Sequence, residues 1–173
     1  TMAKIAERTE EDINYHRRFR EHDSDQNRDV TNAISHATCS AAYDLEASAI
    51  ITVTQSGRTA RMISKYRPEM PIIGCTTEEA TYRHLSISWG VVPILCEEQQ
   101  NEENLFKHAM SRSKECHLVK DGDLVVLTAG VPLGVPGTTN LLKVHVVGNI
   151  LVSGQGVNKL TAVGKVCVAH TEE

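Results

Sequence analysis

Between residues 49 and 129 the chain repeats one pattern: a short β-branched or apolar run, a turn, then a charged stretch with helical spacing. The apolar runs are residues 49–54 (AIITVT), 71–76 (PIIGCT), 90–96 (GVVPILC) and 124–129 (LVVLTA). Three of these strands are continuous rather than alternating, as expected when helices cover both faces of a sheet. The stretches between them, 58–66, 78–85 and 102–116, read as helices, the first stopped by Pro68. A strand–helix–strand succession implies right-handed crossovers and a doubly wound, three-layer α/β/α sandwich. A fifth run, residues 141–147, follows a Gly- and Pro-rich loop with no helix in it. It is read as an antiparallel strand at an edge, completing a five-stranded mixed sheet.

The flanks read differently. Met2, Ile5, Ile13 and Phe19 fall on one stripe, so residues 2–20 are predicted as a single amphipathic helix. The polar stretch 21–29 breaks it. A second helix follows, with Thr31 or Asn32 as its cap and Ile34, Ala37, Ala41 and Leu45 as its inner stripe. After Gly148 the texture changes to short β-like pieces separated by glycines, at 150–152 and 165–169. Residues 1–148 are therefore read as one domain and 149–173 as the beginning of another, incomplete one.

Composition excludes several functions. A net charge of -4 leaves no basic patch for nucleic acid. No apolar run approaches the roughly 20 residues of a membrane span, and the polar residues 2–20 make no secretory signal, so the cytoplasm is the expected compartment. Five cysteines, an odd number with no C-x-x-C pair, argue against a disulfide framework or a zinc site. Eight histidines occur without an H-x-x-x-H spacing, and none is assigned to a metal.

The strongest local signal is Thr54-Gln55-Ser56-Gly57-Arg58-Thr59, at the carboxyl end of a predicted parallel strand and the start of a helix. Ligands of open α/β sheets bind at that end. Backbone N–H groups and the dipole at a helix N-terminus favour an anion. Three hydroxyls, and a glycine allowing close backbone approach, complete a cradle. An ordinary turn with a capping Thr or Ser is an equal competitor. The loop 130–140 leaves another strand at the same sheet edge and is placed to fold over a ligand there, although a plain connection to an edge strand would look the same. The six-residue turn is neither a P-loop nor a G-x-S-x-G elbow. No paired carboxylates at strand ends and no Ser–His–Asp order suggest catalysis.

Residues 1–12 (TMAKIAERTEED), 34–42 (ISHATCSAA), 47–68 (ASAIITVTQSGRTARMISKYRP), 71–76 (PIIGCT), 89–95 and 121–140 (DGDLVVLTAGVPLGVPGTTN) closely resemble the carboxy-terminal domain of bacterial pyruvate kinases. The resemblance implies a five-stranded mixed sheet between helices. It implies effector binding by Thr54, Gln55, Ser56, Gly57, Arg58 and Thr59, with Gly134, Gly137 and Thr138 in the loop that closes over the effector. Relatives activated by fructose 1,6-bisphosphate often carry a lysine where this chain has Gln55, and a Trp- and Arg-bearing stretch that residues 99–105 (QQNEENL) lack. That favours a monophosphate, AMP or ribose 5-phosphate.

The segment from Asn149 resembles the start of the extra, phosphohistidine-like domain of Bacillus-type enzymes. Its Thr-Ser-His motif is absent, so His170 is not read as a phosphocarrier. The family's catalytic residues, which hold potassium, magnesium and phosphoenolpyruvate, lie in a barrel preceding residue 1. This chain is thus expected to hold no catalytic residue and no cofactor of its own, and to form homo-oligomers, a tetramer at full length. A purely structural oligomerisation module and a free-standing phosphate-binding enzyme are the alternatives.

Overall fold

The computed structural model describes residues 1–21, 29–97, 101–130 and 139–148, except for the side chains of Glu11 and Glu102. The strands are β1 (Ala49–Val53), β2 (Ile72–Thr76), β3 (Val91–Leu95), β4 (Leu124–Gly130) and β5 (Thr139–Val146). They form one sheet in the order β3-β2-β1-β4-β5. The first four are parallel, and β5 runs antiparallel to β4 at an edge. The mixed sheet expected from the sequence is therefore the one observed, with strand ends displaced by one or two residues.

The helices are α1 (Met2–Glu11), α2 (Tyr15–Glu21), α3 (Val30–Asp44), α4 (Arg58–Lys65), α5 (Glu79–Leu85) and α6 (Glu102–Glu115). Two cores result, because successive strand residues point to opposite faces. On one face Ile50, Ile72, Val91 and Val126 pack against Cys39 and Ala42 of α3, Ala60 and Ile63 of α4, and Leu85 of α5. On the other, Ile51, Ile73, Ile94, Val125 and Leu127 pack against Phe106 and Ala109 of α6. Three helices thus cover one face, and α6 covers the other. The chain runs outward from β1 to β3, then returns through α6 to place β4 on the far side of β1. The strand order reverses between β1 and β4, and in an open sheet such a switch point opens a crevice at the carboxyl ends.

Two helical readings are corrected. The helix predicted over 2–20 is two helices: the first ends at its C-cap Asp12, and the Asn14 side chain accepts a hydrogen bond from the Arg17 N–H at 2.8 Å, starting the second. Of the proposed stripe only Phe19 is buried, while Met2 and Ile5 are exposed. In α3 the N-cap is Asp29, not Thr31 or Asn32. Its inner face is Thr31, Asn32, Ser35, Thr38, Cys39 and Ala42, whereas Ala37 and Leu45 face outward. These small and hydroxylated residues bury cheaply. Ser35 and Thr38 each donate to a carbonyl one turn back at 2.7 Å, and Asn32 accepts from the Tyr66 hydroxyl at 2.8 Å.

Candidate functional site

The six-residue turn after β1 lies at the switch point. Thr54 continues the ladder, its N–H donating to the Cys75 carbonyl at 2.9 Å. Its hydroxyl then accepts the Gly57 N–H at 3.0 Å and closes the turn. Gly57 is the N-cap of α4 with φ +74°, a left-handed conformation that favours glycine. A Cβ there would also lie 2.9 Å from Arg61 Nη1 and 3.1 Å from the Thr81 methyl. No side chain caps α4. The N-cap is thus a glycine rather than a Ser or Thr, and the Thr54 hydroxyl braces it, as in an ordinary strand-to-helix turn.

The outward carbonyls of the turn are occupied from behind. The Gln55 carbonyl accepts from the Thr81 hydroxyl of α5 at 2.8 Å, and the Ser56 carbonyl accepts from Arg61 Nη1 at 3.2 Å. The first-turn N–H groups of a helix have no acceptor within it, so such a helix entrance favours an anion. Gln55, Ser56 and Arg58 are exposed there, while Thr54, Gly57 and Thr59 are buried. Arg58 pairs with Asp29 at 3.1 Å, which offsets part of its charge. The Thr59 and Thr139 hydroxyls meet at 2.5 Å, joining α4 to the start of β5. Below them Thr52 and Thr128 face each other across β1 and β4. Among the described residues these are the two buried hydroxyls with no hydrogen-bond partner.

The structure places Thr54, Gln55, Ser56, Gly57, Arg58 and Thr59 in one strand-to-helix turn with only Gln55, Ser56 and Arg58 exposed, whereas Gly134, Gly137 and Thr138 lie outside the described residues. Sequence reading missed Asp29, Arg61, Thr81 and Thr139. Arg61 had a readable signal, since it stands one helical turn after Gly57. The other three reach the turn through long-range contacts that leave no spacing to detect.

The sequence model of the family described as "Pyruvate kinase, alpha/beta domain" matches residues 32–145, a span that contains the turn and all of the sheet but Val146, the last residue of β5. The chain belongs to this family. It is 48% identical over 147 residues to a pyruvate kinase of Clostridium acetobutylicum, covering 85% of this chain and 31% of the relative. Identity to the pyruvate kinase of Geobacillus stearothermophilus is 40% over all 173 residues, or 30% of that protein. For Bacillus licheniformis the figures are 38%, again over 173 residues, and 29%. The chain thus spans about three-tenths of the length of these pyruvate kinases.

Other chemistry of this pyruvate kinase domain lies away from the turn. Among the described residues no group of three or more His, Cys, Asp or Glu side chains is arranged to hold a metal ion. No helix there is long and apolar enough to cross a membrane. The Cys75 thiol is held well above its ordinary range by its hydrogen bond with Cys96 and by burial. Cys96 is held below it by the same hydrogen bond, against the opposing effect of burial, with help from the Arg112 charge.

Proposed function

We propose that the chain is the effector-binding and subunit-interface domain of a longer pyruvate kinase. In this reading a phosphorylated small molecule occupies the crevice, held by Thr54, Gln55, Ser56, Gly57, Arg58 and Thr59 and enclosed by Gly134, Gly137 and Thr138. The observation that carries it is the coincidence of a glycine-capped helix N-terminus with the strand-order reversal between β1 and β4. A monophosphate such as AMP or ribose 5-phosphate fits better than fructose 1,6-bisphosphate. Gln55 is uncharged, and Arg58 already shares its charge with Asp29.

The whole protein would transfer a phosphoryl group from phosphoenolpyruvate to ADP in the cytoplasm, with magnesium and potassium held by a preceding barrel. Effector binding here would shift its quaternary equilibrium by the ligand's differential affinity for the two states and by no more. Calorimetric titration with ribose 5-phosphate tests the site. Saturable binding, weakened about tenfold or more by Ser56→Ala through loss of one charge-assisted hydrogen bond, is expected. Equal binding by both proteins would remove the turn from consideration.

A subunit-joining role has its own support. β5 pairs only with β4 among the described strands, and on it Val144 and Val146 are 40% and 53% exposed. An open, partly apolar edge is a place for a second copy to add its own strand. Sedimentation over a range of concentrations should reveal a dimer that Val146→Lys weakens. A monomer at every concentration would contradict this role.

A further inference from the structure

Thr59 and Thr139 are 80 positions apart in the chain, yet their hydroxyl oxygens lie 2.5 Å from each other in a buried contact. Thr59 is the second residue of α4 and 5% exposed, and Thr139 opens β5 and is 2% exposed. A hydroxyl has one hydrogen and two lone pairs. A single hydrogen bond between two hydroxyls therefore has two possible directions, and they differ in what remains for a ligand. If Thr59 donates to Thr139, its only hydrogen is used, and it offers an anion nothing but lone pairs. If Thr139 donates, Thr59 keeps its hydrogen for an acceptor at the mouth of α4.

We infer that Thr139 is a positioning residue for the anion cradle: its hydroxyl donates to Thr59 and so commits the Thr59 hydrogen to a phosphate oxygen. The inference rests on reading the turn as a phosphate site. The resulting chain runs from Thr139 O–H to Thr59 O–H to the anion, and each link polarises the next. Thr139 touches no ligand in this arrangement and acts through Thr59 alone. Replacing Thr139 by valine keeps its volume and branching but removes the donor. Serine keeps the donor.

The test is a double-mutant cycle read by calorimetric titration with ribose 5-phosphate, with inorganic phosphate as a second probe. Thr139→Val should weaken binding roughly three- to tenfold, the worth of one neutral hydrogen bond. Thr139→Ser should restore affinity to within about twofold of the unaltered chain, and Thr139→Val should cost nothing further in a Thr59→Val background. Loss of affinity that persists undiminished in that background would assign Thr139 a merely structural role and overturn the inference. Unchanged affinity in Thr139→Val, or no recovery in Thr139→Ser, would overturn it too. These results would leave the phosphate site standing. No binding of either probe by the unaltered chain would overturn both.

Discussion

Gly57 meets two demands at once: its φ of +74° lies where a Cβ is strained, and a Cβ there would crowd Arg61, Thr81 and Leu85. Gly57→Ala should therefore destabilise the fold by about 1–3 kcal/mol, measured by denaturant unfolding, and weaken anion binding as the turn shifts. A variant of unaltered stability would show that the turn is not held by its backbone. Cys39 makes a different prediction. Burial pushes its thiol up to about 12 from an ordinary value of 9.0. Below about pH 9 the folded and unfolded chains both keep the proton, and the contribution of this group is fully present. Above that the unfolded chain releases it first, so stability falls by about 1.4 kcal/mol per pH unit from this group, until the folded thiol ionises as well. Unfolding measured against pH should show a shallower alkaline decline in Cys39→Ala. An identical decline would place the effect elsewhere, with Cys75 the next group to test. At this scale the turn that would form the proposed cradle could be picked out because its six residues are contiguous. Thr139, Thr81 and Asp29 could not, because side chains brought together by folding leave no local pattern.

The strands were easier to read than the helices, for a physical reason. β1 and β2 are buried on both faces, so hydrophobicity alone marks them. α3 buries hydroxyls, an amide, a thiol and a methyl, while Ile34 is only half-buried and the C-cap Leu45 is exposed. A stripe drawn through Ile34, Ala37, Ala41 and Leu45 consequently falls beside the true face. Periodicity assumes that apolar means inward, and it fails where Ser and Thr satisfy themselves on their own helix. The break at Asp12–Asn14 escaped notice for a related reason, since charge and apolar spacing continue across it while the Asn14 side chain starts a new helix. β5 was placed correctly at the edge because a helix-free loop cannot carry a parallel crossover. Its exposed Val144 and Val146 make β5 the element on which the proposed subunit-joining role rests.

For the whole molecule, the topology is what singles out one short turn for the proposed effector site. A sheet ordered β3-β2-β1-β4-β5 has one reversal of direction, and the turn after β1 and the exit of β4 stand on either side of it. Membership of the pyruvate kinase alpha/beta domain family rests on 114 residues, 32 to 145, that span all of this sheet but Val146. The most direct test of effector binding is thermal unfolding of the chain with AMP, ribose 5-phosphate, fructose 1,6-bisphosphate or inorganic phosphate, and Ser56→Ala as control. A monophosphate at about 100 times its dissociation constant should stabilise the fold by about 2.7 kcal/mol, and the substitution should abolish most of that gain. No stabilisation by any of the four, or the same stabilisation in Ser56→Ala, would contradict an effector site in this turn.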